Sequence, residues 1–125
     1  MNIVITLPRD LINKILSGEK LFEMRKSCPY RFRYGDGVFV IEKGTDIVRC
    51  FFEVDNIISM EPSKATAWAA DLGVSVQYIA NYCKNARRIY MWEIGGAIDL
   101  SNYSRALMGL KQNPQNFAYT DIRLL

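Results

Sequence analysis

Lys20, Glu23 and Arg25 fall within six residues, Lys20-Leu21-Phe22-Glu23-Met24-Arg25, just after Gly18. Arginine presents a rigid fork of donors suited to a phosphate or a base edge. Lysine is a mobile point charge, or a general base where burial and a neighbouring cation depress its pKa. A glutamate between them can accept from a base amino group or orient the two cations. Charges of mixed sign are costly to bury and cheap to solvate. The cluster is therefore either a surface ion network or the floor of a polar ligand site.

Other residues offer less. The chain contains no histidine, which excludes Ser-His and Cys-His nucleophilic pairs. Cys28, Cys50 and Cys83 are odd in number, widely spaced and form no Cys-x-x-Cys pair. They read as free, mostly buried thiols in a reducing cytoplasm, with no metal or cofactor expected. Lys26 stands two residues before Cys28 and could favour its thiolate, although a loop or core cysteine is the simpler reading. Gly35-x-Gly37 lacks the spacing and following helix of a dinucleotide or Walker loop. Asp36, Glu42, Asp46, Glu53 and Asp55 could supply a magnesium site, but their strand spacing suits a solvated face.

The formal net charge of +3 is unevenly spread. Residues 1–34 hold seven basic side chains, among them Lys20, Arg25, Lys26, Arg31 and Arg33, against three acidic ones. If folding keeps these together, they concentrate phosphate-bearing ligands near one surface. Tyr30, Phe32 and Tyr34 alternate with Arg31 and Arg33. That pattern lets bases stack while guanidinium groups meet phosphates, and it is also what a half-buried strand shows.

The elements that must position these residues follow from periodicity. The N-terminal Met1 to Leu7 lacks the basic lead and cleavage site of a signal peptide and reads as a first strand. Pro8 sits at a helix start; Leu11, Ile12, Ile15 and Leu16 form one stripe, and Gly18 can end the helix in the left-handed conformation. Leu21 to Lys26 reads as a strand with Glu23 and Arg25 on one side and Phe22 and Met24 on the other. Lys20 has the wrong parity to join Glu23 on a regular strand, so it must sit in the turn if the three converge. Val38 to Ile41, a turn at Lys43-Gly44-Thr45-Asp46, and Ile47 to Ile58 suggest a hairpin. On its second strand Val48, Cys50, Phe52 and Val54 are expected to share one side.

Pro62 opens a helix through Trp68 that Gly73 closes, and Ser75 caps another carrying Tyr78, Ile79 and Tyr82. Arg88 to Ile94 reads as a strand whose Tyr90 and Trp92 face the core. Gly95-Gly96 is a bulge or turn, Asp99 to Leu110 a short helix or irregular, and Phe117 to Leu124 a closing strand. At 125 residues the chain suits a single domain over 1–125, without a membrane span. Five or six strands with short helices predict an α+β domain, a curled sheet or small β-barrel, mostly antiparallel.

Gly18-x-Lys20-x-x-Glu23-x-Arg25, the Gly35-Asp36 turn before an apolar strand, and Asn113-Pro114-Gln115-Asn116-Phe117-Ala118-Tyr119 resemble, in order, the pattern of the ASCH family. In that family's terminal Pro-Gln-Ser-Phe-x-Tyr element, Asn116 takes the serine place. The resemblance implies a PUA-like β-barrel with a cleft floored by Lys20, Glu23 and Arg25 and with Tyr119 near it. It implies RNA or a nucleotide-like ligand as partner; Lys26 and Arg33, from the basic N-terminal cluster, are further candidate binding residues. The rival function is a small hydrolase, a ribonuclease or an amidohydrolase acting on a modified nucleoside, with Lys20 as base. In the acetylated-cytidine amidohydrolases that the chain partly resembles, a threonine nucleophile follows the lysine by three residues and a glutamate on the second helix assists. Here those places hold Glu23 and Gln77, which speaks against that mechanism.

Overall fold

The computed structural model describes residues 1–124, apart from the side chains at positions 101 and 102. Leu125, the last residue of the domain expected over 1–125, lies outside the described residues. The order along the chain is β1 (Asn2–Leu7), α1 (Arg9–Ser17), β2 (Phe22–Arg25), β3 (Gly37–Glu42) and β4 (Ile47–Met60). A 3₁₀ turn over Pro62–Trp68 runs into α2 (Ala69–Leu72), then come α3 (Val76–Cys83), β5 (Ile89–Ser104), a second 3₁₀ turn Arg105–Met108 and β6 (Ala118–Thr120).

The six strands form one sheet in the order β2-β5-β4-β3-β1-β6. Four ladders are antiparallel, and β1 alone runs parallel to its neighbour β3. The expected hairpin is present: β3 and β4 pair antiparallel, with Val38 opposite Phe52 and Val40 opposite Cys50. Thr45 ties its turn, donating through Oγ1 to Glu42 O at 2.9 Å and accepting from Ile47 N at 3.0 Å, while Gly44 takes φ +84°. The α+β, mostly antiparallel expectation therefore holds, as a curled half-barrel sheet.

Three apolar clusters fill it. Ile3, Ile5, Val38, Val40, Phe52 and Trp92 meet Leu11, Ile12 and Ile15 of α1 inside the curl. Met24, Ile89 and Met91 point the other way and pack on Leu72, Ile79 and Cys83 of the helical segment. Val4, Phe39, Ile41 and Phe51 form a third cluster. Val48 joins this third cluster, not Cys50 and Phe52 as strict alternation predicts. A register shift between Val48 and Cys50 inverts the facing at that point, since one extra residue exchanges the two sides of a strand.

Three more expectations change. The strand from Arg88 to Ile94 continues to Ser104, past Gly95-Gly96. Pairing jumps from Phe52–Ala97 to Val54–Ile94 there, so the glycines form a bulge within one strand rather than end it. A side chain at Gly95 would collide with the Asp55 carboxylate, 2.5 Å from an ideal Cβ. The helix weighed for Asp99 to Leu110 reduces to the 3₁₀ turn Arg105–Met108, and the closing strand shortens to three residues. Among the described residues no helix is long and apolar enough to cross a membrane.

Candidate functional site

The turn after α1 delivers Lys20. Pro8 precedes α1 in extended conformation, and Gly18 ends it at φ +84° with its N–H on Ile15 O. Lys20 N then donates to Lys14 O at 2.9 Å and Leu21 N to Asp71 O at 2.7 Å, docking the turn on α2. Lys20 lies outside β2, which resolves its parity. Its Nζ donates to Leu72 O at 2.8 Å, one of the carbonyls that a helix end leaves without an intrahelical partner. Lys14 Nζ serves the next carbonyl, Gly73 O, at 2.8 Å.

β2 pairs with β5 so that Glu23 lies opposite Trp92 and Arg25 opposite Tyr90. Lys20 Nζ is 3.2 Å from Glu23 Oε1, and Arg25 Nε is 2.9 Å from Glu23 Oε2. The side chains of Lys20, Glu23 and Arg25 are 2%, 6% and 11% exposed. Both carboxylate oxygens are thus occupied by cations that are themselves nearly dry. The guanidinium carbon of Arg25 lies 5.7 Å from the Trp92 ring centroid. Arg25 Nη1 reaches Asn116 O at 3.1 Å, just before β6.

That last bond has a topological role. β2 and β6 are the two edges of the sheet, and no backbone ladder joins them among the described residues. Side chains cross the gap instead: Arg25 to Asn116, and Tyr119 Oη accepting from Arg31 N at 2.9 Å.

Lys20, Glu23 and Arg25 share an open cavity of about 500 Å³. Tyr78 and Tyr82 of α3 form one wall, with ring centroids 6.4 Å apart and planes within 11°. Asn113, Pro114 and Gln115 form another. It is held by Thr6 Oγ1 donating to Pro114 O at 2.9 Å and Asn113 Nδ2 donating to Thr45 O at 2.8 Å. Lys43 also lines the cavity, so three cations face one carboxylate. Burial pushes the Tyr82 hydroxyl pKa up, against a smaller opposing pull from Arg25. Tyr82 therefore remains a neutral ring surface and donor at ordinary pH.

The other expected site residues sit elsewhere. Lys26 is exposed at the rim, its Nζ 4.8 Å from the Tyr82 ring centroid. Arg33 folds back on its own loop, Nη1 donating to Tyr30 O at 2.7 Å and Phe32 O at 3.1 Å. Tyr119 is half-buried behind the β2–β6 gap, with Arg31 at its ring. Arg33 and Tyr119 do not line the cavity, and Gln77 is an exposed residue of α3 bonded to Asn81. The two tyrosines were visible in sequence only as an i, i+4 pair on a helix. Their place in the wall depends on how α3 docks.

The remaining candidate groups are held otherwise. Burial raises the Cys28 thiol pKa, with Arg33 opposing it, so the thiolate considered for Cys28 is disfavoured. Burial also raises Cys83, and takes Cys50 up to about 12. Of the acidic residues, Glu42 is buried between Arg9 and Arg49, and Asp36 pairs with the Met1 amino group at 2.7 Å. Among the described residues no group of three or more cysteines and carboxylates is placed to hold a metal ion.

No family model matches the chain, and no curated protein does. Solved structures do. An ASCH protein from Zymomonas mobilis superposes with a TM-score of 0.82 at 15% identity, over 94% of this chain and 86% of that one. A mutant of the same protein gives 0.83 over 94% and 87%, again at 15% identity. A protein described only as hypothetical gives 0.57 at 15% identity, over 75% of this chain and 97% of that one. The curled sheet, its strand order and its short helices are, by this likeness, the ASCH fold.

Proposed function

We propose that this chain is an RNA- or nucleotide-binding PUA-like domain that receives its ligand in the cleft floored by Lys20, Glu23 and Arg25. The observation that carries the reading is the state of Glu23, with one oxygen on Lys20 and the other on Arg25 beneath an open cavity. Two buried cations held by one carboxylate leave a positive balance on the floor. Lys20 keeps a third ammonium donor and Arg25 its Nη2, neither engaged by a protein acceptor among the described residues. Those donors suit phosphate oxygens, and Tyr78 offers a ring face for a base. Glu23 aligns the cations in this reading, and Lys26 extends the charge at the rim. Three free thiols suit a cytoplasmic protein, which is part of the proposal.

Binding of short single-stranded RNA, followed by fluorescence anisotropy, tests it. Affinity should fall as salt rises. Arg25→Ala should weaken binding by roughly 1–3 kcal/mol, the scale of a charge-assisted contact. Glu23→Gln should also weaken it, since the cations lose their shared anchor; tighter binding would mean that Glu23 only repels. RNA affinity unchanged in both Arg25→Ala and Lys20→Ala, in protein still folded by circular dichroism, removes the cleft from the function. Turnover of RNA or of an acetylated nucleoside, lost on Lys20→Ala, would establish the rival hydrolase instead.

A further inference from the structure

We infer that the segment 26–34 is a second contact surface, which takes the nucleotides flanking the one in the cleft of a bound single-stranded RNA. The inference rests on reading the cleft as a nucleotide site. Between β2 and Tyr34 the chain carries Lys26, Arg31 and Arg33 and no acidic residue. Among the described residues none of these three cationic heads forms an ion pair. Tyr30 and Tyr34 are 87% and 72% exposed.

The segment is not the half-buried strand that its alternation allowed. It is an irregular loop pinned at several points. Phe32 is buried with its ring 4.9 Å from that of Trp92. Arg31 N donates to Tyr119 Oη, Arg33 N to Asp36 Oδ2 at 2.9 Å, and Gly35 N to Val54 O at 2.6 Å. Tyrosine rings on an already ordered backbone bind without the cost of ordering it. Arg31 stacks over Tyr119, its guanidinium carbon 5.9 Å from the ring centroid.

The loop is continuous with the cleft. Lys26 sits over Tyr82, a wall of the cavity. Arg25 is anchored at Asn116 and Arg31 at Tyr119, three residues later. An extended chain covers at most about 11 Å in three residues, the length of about three stacked nucleotides at ~3.4 Å each. Exposed rings interleaved with unpaired cations suit base stacking and phosphate contact.

The test uses the full chain with two probes, uridine monophosphate and an octamer of single-stranded oligouridylate. The Tyr30→Ala/Tyr34→Ala variant should weaken octamer binding about tenfold or more, the usual scale of lost stacking, and leave monophosphate binding unchanged. Tyr30→Phe/Tyr34→Phe should restore octamer binding, and Arg31→Ala should reduce the salt slope by about one. An octamer indifferent to the tyrosine pair yet weakened by Arg25→Ala overturns the second surface and leaves the cleft standing. An octamer weakened by the tyrosine pair but indifferent to Arg25→Ala and Lys20→Ala supports the loop as an RNA surface and removes the cleft. Competition by polyglutamate as strong as by RNA overturns the RNA assignment, and binding of neither probe overturns both readings.

Discussion

Two buried glutamates, Glu23 and Glu42, each bridge two cations, and their surroundings make them different objects. The Glu42 side chain is 6% exposed, like that of Glu23, and both of its oxygens are engaged. Its partner Arg9, however, is 71% exposed, and Arg49 covers the other oxygen from the sheet. This is a strap: one solvated cation, Arg9, and one largely buried one, Arg49 at 20% exposure, neutralise a carboxylate at the end of a hairpin strand. At Glu23 the cations are as dry as the anion, and the cluster faces a cavity. Desolvating three charges together is unfavourable unless their geometry compensates. Charge type is thus a poor guide to function here, and the hydration of the partners is a better one.

Removing the central anion should separate the two most clearly. Glu23→Ala leaves Lys20 and Arg25 buried and unpaired, and urea unfolding should show a loss on the order of 3–5 kcal/mol. Glu42→Ala should lose less, because Arg9 simply rehydrates. Equal losses would erase the distinction.

Glycines beside each cluster offer a finer cut. Gly73 holds φ +70°, and an added Cβ would stand 3.1 Å from Lys14 Cδ and 3.5 Å from Lys20 Cβ. Gly44, two residues beyond Glu42, holds φ +84° with open space around it. Alanine at either should cost about 1–2 kcal/mol from left-handed strain. Under the proposed reading only Gly73→Ala should also weaken RNA binding, by displacing Lys14, whose Nζ holds the Gly73 carbonyl beside the Leu72 carbonyl that anchors Lys20.

The smallest effect expected is in pH dependence. The Arg9 hydrogen bond holds the Glu42 carboxyl below its ordinary value of 4.5, against the upward push of burial and with further help from Arg49. The unfolded chain therefore takes up this proton first as pH falls. Stability from Glu42 is complete above about pH 4.5 and is lost below it, towards the lower folded value. Urea midpoints from pH 6 to 3 should converge between the parent and Glu42→Gln. A constant gap would mean that the strap does not act through ionisation.

How much of this was legible in the sequence differs by element. Lys20 could be assigned to the turn because strand parity forbade it from joining Glu23, and Gly18 supplied the left-handed stop. The hairpin followed from Lys43-Gly44-Thr45-Asp46. What pairs with what did not follow: Leu72 O on Lys20 and Asn116 on Arg25 are contacts across most of the fold, and neither carries a local pattern. Of the bulges, Gly95-Gly96 was expected as a bulge or turn, and the one near Arg49 escaped. The latter moves Val48 into a different buried cluster from Cys50 and Phe52, and the former lets β5 run on past Ile94. The cleft's aromatic wall was hidden for the same reason, since Tyr78 and Tyr82 gain their role only when α3 docks.

The short seam at β6 also bears on how the molecule is made. β1 is synthesised before every other strand described, yet its outer partner is β6, which follows them all; Asn2 pairs with Thr120. Closing so long a loop for three residues of ladder is entropically late in any folding sequence. Until residues 113–120 emerge, Thr6 lacks the Pro114 carbonyl and Arg25 lacks Asn116. A nascent chain therefore already holds the β3–β4 hairpin and α1 while its charged cluster still lacks a wall. The cavity is walled only once residues 113–120 have emerged, and a chain stalled short of residue 113 would present Arg25 with no seam to close.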